Sequence, residues 1–552
     1  MNIDQIESST KKLIDSLKGA CGSRGLGNSG DEYRIIVQMF LYKYFNDKFG
    51  YEAKKTKAFG KRLSEAEKWD AEYDKFTEDE VQDLFDFLPE ATPRLLPRHT
   101  IGHLYNAQQQ AGFADLLDGT LLEISKLNED VFSMVTDDQS KIEVFQAFTD
   151  VVRNKGERDK FALSLVQELA NPQNNFEPIF NLKYDFFSTM FEYLISDYNK
   201  DGGGKYAEYY TPKAVATIMA RMLVGDDEEL RGVSCYDQTA GTGTLLMALA
   251  HRIGEKRCTI YSQDISQKSS DMLRLNLILN NLVGSIPNIV QGNTLTHPAH
   301  KDKDGALKKF DFIVSNPPFN LDFPDERATI AAMTTRFWAG VPNVPKEINP
   351  DKPKMKIYLC FIQHMLNSLK ENGRGAIVVP TGFITSSQTI EQKILSRVVD
   401  EHIIYGCVSM PSNVFATTGT NVSILFFDKR RKHDKVVLID ASKLGEDYKD
   451  GNNQRHRLRD FEVDQIVNTF RQQKSVDDFS VVVDFDEIKA KKYSLSAGQY
   501  FDVKIEHVDI TAKEFKNRVD DYKTKLSEQF KISNKLDKEI LGNLDGLEFE
   551  KK

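Results

Sequence analysis

Between residues 176 and 435 the chain changes rhythm again and again. Short runs rich in β-branched and aromatic residues ("VSCYD", "CTIYSQ", "NIVQG", "FDFIVS", "GAIVVP", "IIYGCV", "VSILFF") alternate with stretches of helical spacing such as "LLMALAHRI", "SDMLRLNLILNNL" and "YLCFIQHMLNSLK". Strands joined through helices pair in parallel, and the helices cover both faces of the sheet. This alternation predicts an α/β domain with a mostly parallel sheet, placed at 171–440. A parallel sheet of this kind binds ligands outside the carboxyl ends of its strands. The chemistry is therefore sought where these runs stop.

The chain has 552 residues, more than one compact core usually holds. Residues 1–170 read as a helical N-terminal domain. Segments such as "DEYRIIVQMFLYKYFNDKF" and "KIEVFQAFTDVVRN" repeat apolar residues every three or four positions, and a polar break, "NPQNN", follows at 171–175. Residues 441–502 form a mixed extension. Residues 503–552 read as one long helix, with Phe515, Val519, Tyr522, Leu526, Leu536 and Ile540 on a heptad seam that Gln529 and Ser533 interrupt. No apolar run is long enough for a membrane span, and the polar, amphipathic N-terminus is unlike a signal peptide. Five scattered cysteines read as reduced thiols of a cytoplasmic protein.

Three stretches can carry chemistry. In "YDQTAGTGTLL" a strand ends at Asp237, and a small-residue loop (Ala240, Gly241, Thr242, Gly243) leads into a helix. Asp264 ends the next strand, 21 residues beyond Gly243. That spacing suits a carboxylate that grips ribose hydroxyls. The third glycine of the dinucleotide fingerprint is missing, so the stretch is either a nucleoside-cofactor site or a tight structural turn. In "FDFIVSNPPFN" a strand stops at Asn316, followed by Pro317, Pro318 and Phe319. The Asn316 side-chain oxygen and the Pro317 carbonyl can together accept both protons of an exocyclic amine, and Phe319 can stack on a flat ring. The plain alternative is a strand-to-loop turn. In "DGGGKYAEYYTP" (201–212) the tyrosines and Thr211 can line a site, although by itself the stretch reads as a loop and a helix start. His99 with His103, and His297 with His300, lack a third clustered ligand, so no metal site is expected. The basic run "DKRRKHDK" (428–435) reads as a solvated turn.

Together "YAEYYTP", "DQTAGTGT", "SQD" and "NPPF" resemble the motifs of the amino-methyltransferases that use S-adenosylmethionine, in the order of the DNA adenine-N6 group. The segments "FIQHMLNSLKENGRGAIVVP" and "MPSNVFATTGTNVSILFFDK" look like the modification subunit of type I restriction-modification systems. The resemblance implies a Rossmann-like methyltransferase domain between a helical N-terminal domain and a C-terminal helical arm. It implies a catalytic set of Asn316, Pro317, Pro318 and Phe319. It implies that S-adenosylmethionine is held by Tyr206, Ala207, Glu208, Tyr209, Tyr210, Thr211, Asp237, Ala240, Gly241, Thr242, Gly243, Asp264 and Asn293. Its implied partners are DNA and a specificity subunit that reads the site and carries two copies of the chain; it leaves open whether a restriction (nuclease) subunit joins. The final helix is similar to the arm that docks on the specificity subunit.

The chain departs from this family at several points. Glu208 stands where Gln is frequent, Asn293 replaces a carboxylate, and "KEINPDKPKMK" (346–356) is longer than usual. Two other readings remain. Methylation of a glutamine side chain or of RNA guanine uses a similar pocket, and a non-catalytic scaffold would keep the fold alone. The formal net charge of −9 argues against a chain that grips DNA unaided.

Overall fold

The computed structural model describes the chain apart from residues 1–2, 28, 182–192, 194–210, 227–228, 322, 345–354, 416–420, 432, 451–452, 502–509 and 546–552. The chain divides into two compact units, 1–500 and 501–552. The boundaries expected near 170 and 440 fall inside the first of them.

The first unit is organised by one sheet. Its strands are β1 (Met134–Thr136), β2 (Lys141–Ile142), β3 (Val233–Asp237), β4 (Cys258–Asp264), β5 (Ile289–Gln291), β6 (Phe310–Ser315), β7 (Leu369–Pro380), β8 (Ile404–Ser409), β9 (Val422–Asp428), β10 (Lys435–Asp440) and, after a separate hairpin of β11 (Glu446–Asp450) and β12 (Asn453–Arg457), β13 (Ser480–Asp484). The order across the sheet is β13-β10-β8-β9-β7-β6-β3-β4-β5-β1-β2. Neighbours from β7 through β6, β3, β4 and β5 to β1 are all parallel. The strand β9 runs antiparallel to both β7 and β8 and is buried at every position, Ser423 and Asp428 included.

Two parts of this sheet lie outside the expected α/β domain. The run 1–170 reads as helical, yet it contributes β1, which pairs in parallel with β5. The extension contributes β13, which pairs with β10. The helices Lys213–Leu223 and Asp460–Arg471 are tied by an ion pair between Arg221 and Asp464.

The path of the chain fixes where a crevice opens. From β3 it moves one way, to β4 and β5, through helices Thr244–Ile253 and Gln267–Leu279. It then returns to β6 on the other side of β3. Loops leaving the carboxyl ends of β3 and β6 therefore part in opposite directions, which is the switch-point geometry of open parallel sheets. Apolar residues on both faces, among them Ile260, Leu246, Ile313 and Val378, are fully buried. A smaller apolar cluster (Leu295, Phe323, Ile330, Phe337, Met355 and Phe361 among its members) lies under the loops that follow β6.

The second unit is described by one helix, Ala512–Asp545. Phe515, Tyr522, Leu526, Leu536 and Ile540 on its seam are each half or more exposed. A lone helix cannot bury its own stripe. Truncation after Tyr500 should leave the main unfolding transition in place. The melting temperature should move by no more than about 1–2 °C, since ~1 kcal/mol shifts a chain of this size less than it shifts a small domain. Loss of that transition in calorimetry would show that the helix belongs to the core.

Candidate active site

The site is built where β3, β4, β5 and β6 end. β3 stops at Asp237, and the chain must reverse into a helix within a few residues. Gly241 and Gly243 make that possible with φ of +52° and +83°. The Gly243 N–H donates to the Ala240 carbonyl at 2.8 Å and closes the turn. A Cβ at Gly243 would also lie 2.2 Å from Leu273 Cδ1, so both backbone and packing demand glycine. The buried Thr242 offers its carbonyl to Asn276 Nδ2 at 3.2 Å, which pins the loop to the helix Gln267–Leu279.

Asp264, at the end of β4, holds this loop in place. Its Oδ2 accepts from the Gly241 N–H at 2.9 Å and its Oδ1 from the Ser266 N–H at 2.8 Å. Each carboxylate oxygen keeps a second lone pair, enough for one hydroxyl each. Burial raises its pKa above the ordinary carboxylate value, and the two N–H donors pull the other way. Asp237 is more enclosed still. It accepts from the Thr239 N–H at 2.9 Å, and burial, reinforced by the charge of Asp264, pushes its pKa up to about 8.

After β5, Asn293 turns its side chain back on its own loop. Its Oδ1 accepts from the N–H groups of Leu295 (3.0 Å) and Thr296 (3.3 Å). Only an oxygen can accept from two N–H groups, so Nδ2 is the group left to donate. After β6, Asn316 donates through Nδ2 to Thr211 Oγ1 at 3.2 Å, which leaves its Oδ1 as the acceptor. Pro317 is buried and Pro318 exposed. Phe319 is half-buried, its ring edge-on to Tyr358 with centroids 6.3 Å apart.

Thr211, Asp237, Ala240–Gly243, Asp264, Asn293 and Asn316–Phe319 thus all lie on loops or strand ends at one edge of the sheet. Tyr206, Ala207, Glu208, Tyr209 and Tyr210 lie outside the described residues, as does most of the long segment 346–356.

Several residues not singled out from the sequence tie the edge together. Thr239 Oγ1 and Ser315 Oγ are 2.7 Å apart, joining the glycine loop to the end of β6. The buried Gln238 donates to the Phe361 carbonyl at 2.9 Å, and its own carbonyl accepts from Thr294 Oγ1 at 2.8 Å. Gln238 and Thr239 stand inside the quoted motif, so adjacency alone could have flagged them.

The discounted histidines have structural partners. His99 contacts Glu123 at 2.8 Å, and His300 contacts the Ser262 carbonyl at 2.9 Å. Among the described residues no group of three metal-type ligands occurs, and no helix is long and apolar enough to cross a membrane. In the basic run, Arg430 and His433 both bind Asp428, which folds the turn on itself.

A doubly wound sheet with a glycine turn, a loop-bound carboxylate and an Asn-Pro-Pro-Phe loop on one edge points to a nucleoside-cofactor enzyme that acts on an amine. The family model described as N-6 DNA Methylase matches residues 182–509, more than half of the chain, and the chain belongs to that family. Among curated relatives, the type I restriction enzyme MpnII methylase subunit of Mycoplasma pneumoniae is 28% identical, over 61% of this chain and 61% of its own length. The HindI methylase subunit of Haemophilus influenzae is 25% identical, over 78% of this chain and 94% of its own length. Among solved structures, a type I restriction-modification methyltransferase subunit from Streptococcus thermophilus has the same fold. Its TM-score is 0.70 at 21% identity, covering 91% of this chain and all of that one (100%).

The Asp237 environment gives a testable pH dependence. An unfolded aspartate titrates at about 3.9, whereas the folded one holds its proton up to about 8. Between those values the folded state binds the extra proton, so stability falls as pH rises through the window. Asp237→Asn should therefore stabilise the cofactor-free chain most at pH 8 and least at pH 4. Urea denaturation at the two pH values reads this directly; an equal gain at both would place the titration elsewhere.

Proposed function

We propose that the chain transfers a methyl group from S-adenosylmethionine to the N6 amino group of adenine in DNA. It does so as the modification subunit of a type I restriction-modification complex, in which a separate specificity subunit reads the site. The observation that carries this reading is the bond from Asn316 Nδ2 to Thr211 Oγ1. It turns the Asn316 oxygen into the free acceptor of the side chain, beside the Pro317 carbonyl. An adenine amine is a weak nucleophile because its lone pair is delocalised into the ring. Two acceptors on its two protons favour a pyramidal nitrogen and stabilise the positive charge that develops there.

The chain's own residues fit the cofactor. Asp264 has a lone pair per oxygen for two ribose hydroxyls, the glycine turn leaves the backbone open to close approach, and Asn293 offers an N–H donor to a purine ring nitrogen. When bound, the sulfonium supplies an activated methyl group. The enzyme's remaining task is alignment, and the Thr239–Ser315 contact holds the two halves of the site in register. A paired base cannot reach this edge, so it must leave the stack, and Phe319 offers an aromatic surface to receive it. The net charge of −9 and the exposed seam of the last helix support a specificity subunit as the source of most DNA contacts. Two copies of the chain per specificity subunit and a cytoplasmic location are part of the same reading.

The test is transfer of labelled methyl from S-adenosylmethionine to DNA by the full chain with its specificity subunit. Asn316→Ala should lower kcat by about 10²-fold or more while the cofactor dissociation constant stays within about threefold. A matching loss of cofactor affinity in calorimetry would move Asn316 to the cofactor side.

Asp264→Ala should act on binding instead. Two charge-assisted hydrogen bonds at about 1.5–3 kcal/mol each correspond to at least about a hundredfold weaker cofactor. An unchanged dissociation constant would give the ribose role to another residue.

A further inference from the structure

One buried cation has no part in the site as described so far. Arg336 lies in the loop after the helix Pro324–Ala332, on the target-base side of the sheet, and is 6% exposed. Among the described residues no carboxylate pairs with it. Its Nε donates to His364 Nδ1 at 2.9 Å, Nη1 to the Leu295 carbonyl at 2.8 Å and Nη2 to the Thr294 carbonyl at 2.7 Å. An unpaired buried charge is expensive unless dipoles are aimed at it, and here two carbonyls and a neutral imidazole are. His364 must accept at Nδ1, and burial beside the Arg336 cation holds it well below its ordinary pKa. Burial brings the guanidinium down only to about 10, so it is charged at neutral pH.

The two carbonyls belong to particular peptide groups. The Thr294 carbonyl shares its peptide unit with the Leu295 N–H, and the Leu295 carbonyl shares its unit with the Thr296 N–H. Those two N–H groups are the donors to Asn293 Oδ1. A cation on a carbonyl draws electron density from the amide and makes its N–H a stronger donor. One guanidinium therefore fixes both peptide planes and strengthens both bonds that hold the Asn293 oxygen. Thr294 also hooks the same loop to the Gln238 carbonyl of the glycine turn.

We propose that Arg336 is a positioning residue for the cofactor: through the peptide groups 294–295 and 295–296 it locks Asn293 with Nδ2 facing outward as a donor. This rests on the reading of Asn293 as a contact to the cofactor purine. It also means that a residue from the loop of the target base sets the geometry of the cofactor loop, although it touches neither ligand.

The test is a double-mutant cycle on the full chain, read by calorimetry with S-adenosylmethionine, by steady-state transfer with the specificity subunit, and by melting temperature. Asn293→Ala should weaken the cofactor about tenfold, the loss of one hydrogen bond to a buried partner. Arg336→Met should weaken it by a similar factor, raise the KM for cofactor, and leave kcat at saturating cofactor within about twofold. In the Asn293→Ala background, Arg336→Met should add less than about twofold. Arg336→Lys keeps the charge with fewer donors and should recover part of the loss, which also serves if Arg336→Met does not fold. Equal losses in both backgrounds, or a fall in kcat with unchanged affinity, would overturn the role of Arg336 and leave the methyltransferase reading intact. Failure of the unaltered chain to bind S-adenosylmethionine, or no effect of Asn293→Ala, would bring down the underlying reading and this inference with it.

Discussion

The Asp264 carboxylate holds two loops at once. Its oxygens take the N–H of Gly241 from the turn after β3 and the N–H of Ser266 from its own loop. Without that charge at the end of β4, the buried Gly241 N–H and the partly buried Ser266 N–H would lose their acceptor, and a buried donor left unmade costs about 1–3 kcal/mol. The turn it holds takes a backbone conformation that favours glycine, with Gly243 at φ +83° and a Cβ there running into Leu273. A carboxylate that shapes the loop before any ligand arrives removes part of the ordering that binding would otherwise require.

The edge of the sheet is then assembled by short polar contacts between neighbouring strand ends. Thr239 meets Ser315, Gln238 meets Thr294 and Phe361, and Asn316 meets Thr211. Each contact joins segments far apart in the chain, and each fixes the orientation of a group that would otherwise rotate. Networks of this sort are worth more in a low-dielectric interior than at a surface, because every member polarises the next. The result is that the loops after β3, β5 and β6 are tied to one another.

Much of this was legible in the sequence where the signal is local. The runs "VSCYD" and "FDFIVS" are β3 and β6 residue for residue, since a β-branched run bounded by polar residues specifies both ends of a buried strand. That Asp264 closes the next strand was legible too, because "CTIYSQ" runs directly into it. β1 and β2 did not follow, because strands of three and two residues carry no period to read. β13 was hidden for a different reason: its pairing with β10 spans the hairpin and a helix, and no local pattern announces a return to the sheet. The turn of Asn293 could not be read, since an amide at a strand end can face either way until its neighbours' N–H groups claim the oxygen. Arg336 is the extreme case. A single arginine in a loop looks like any solvated charge, and only the tertiary fold buries it.

Both ends of the eleven-stranded sheet are finished in the same manner, with an antiparallel strand: β2 beyond β1, and β13 beyond β10. On one side the last strand is two residues long and exposed at Lys141. On the other, β13 runs straight into the helix Phe485–Ala490. A long open edge of parallel strand would offer a row of unpaired N–H and carbonyl groups to any passing chain. At the two ends of this sheet that row is short, which leaves a joining chain little backbone to pair with there and shifts the weight of any contact at these ends to the shape and charge of side chains.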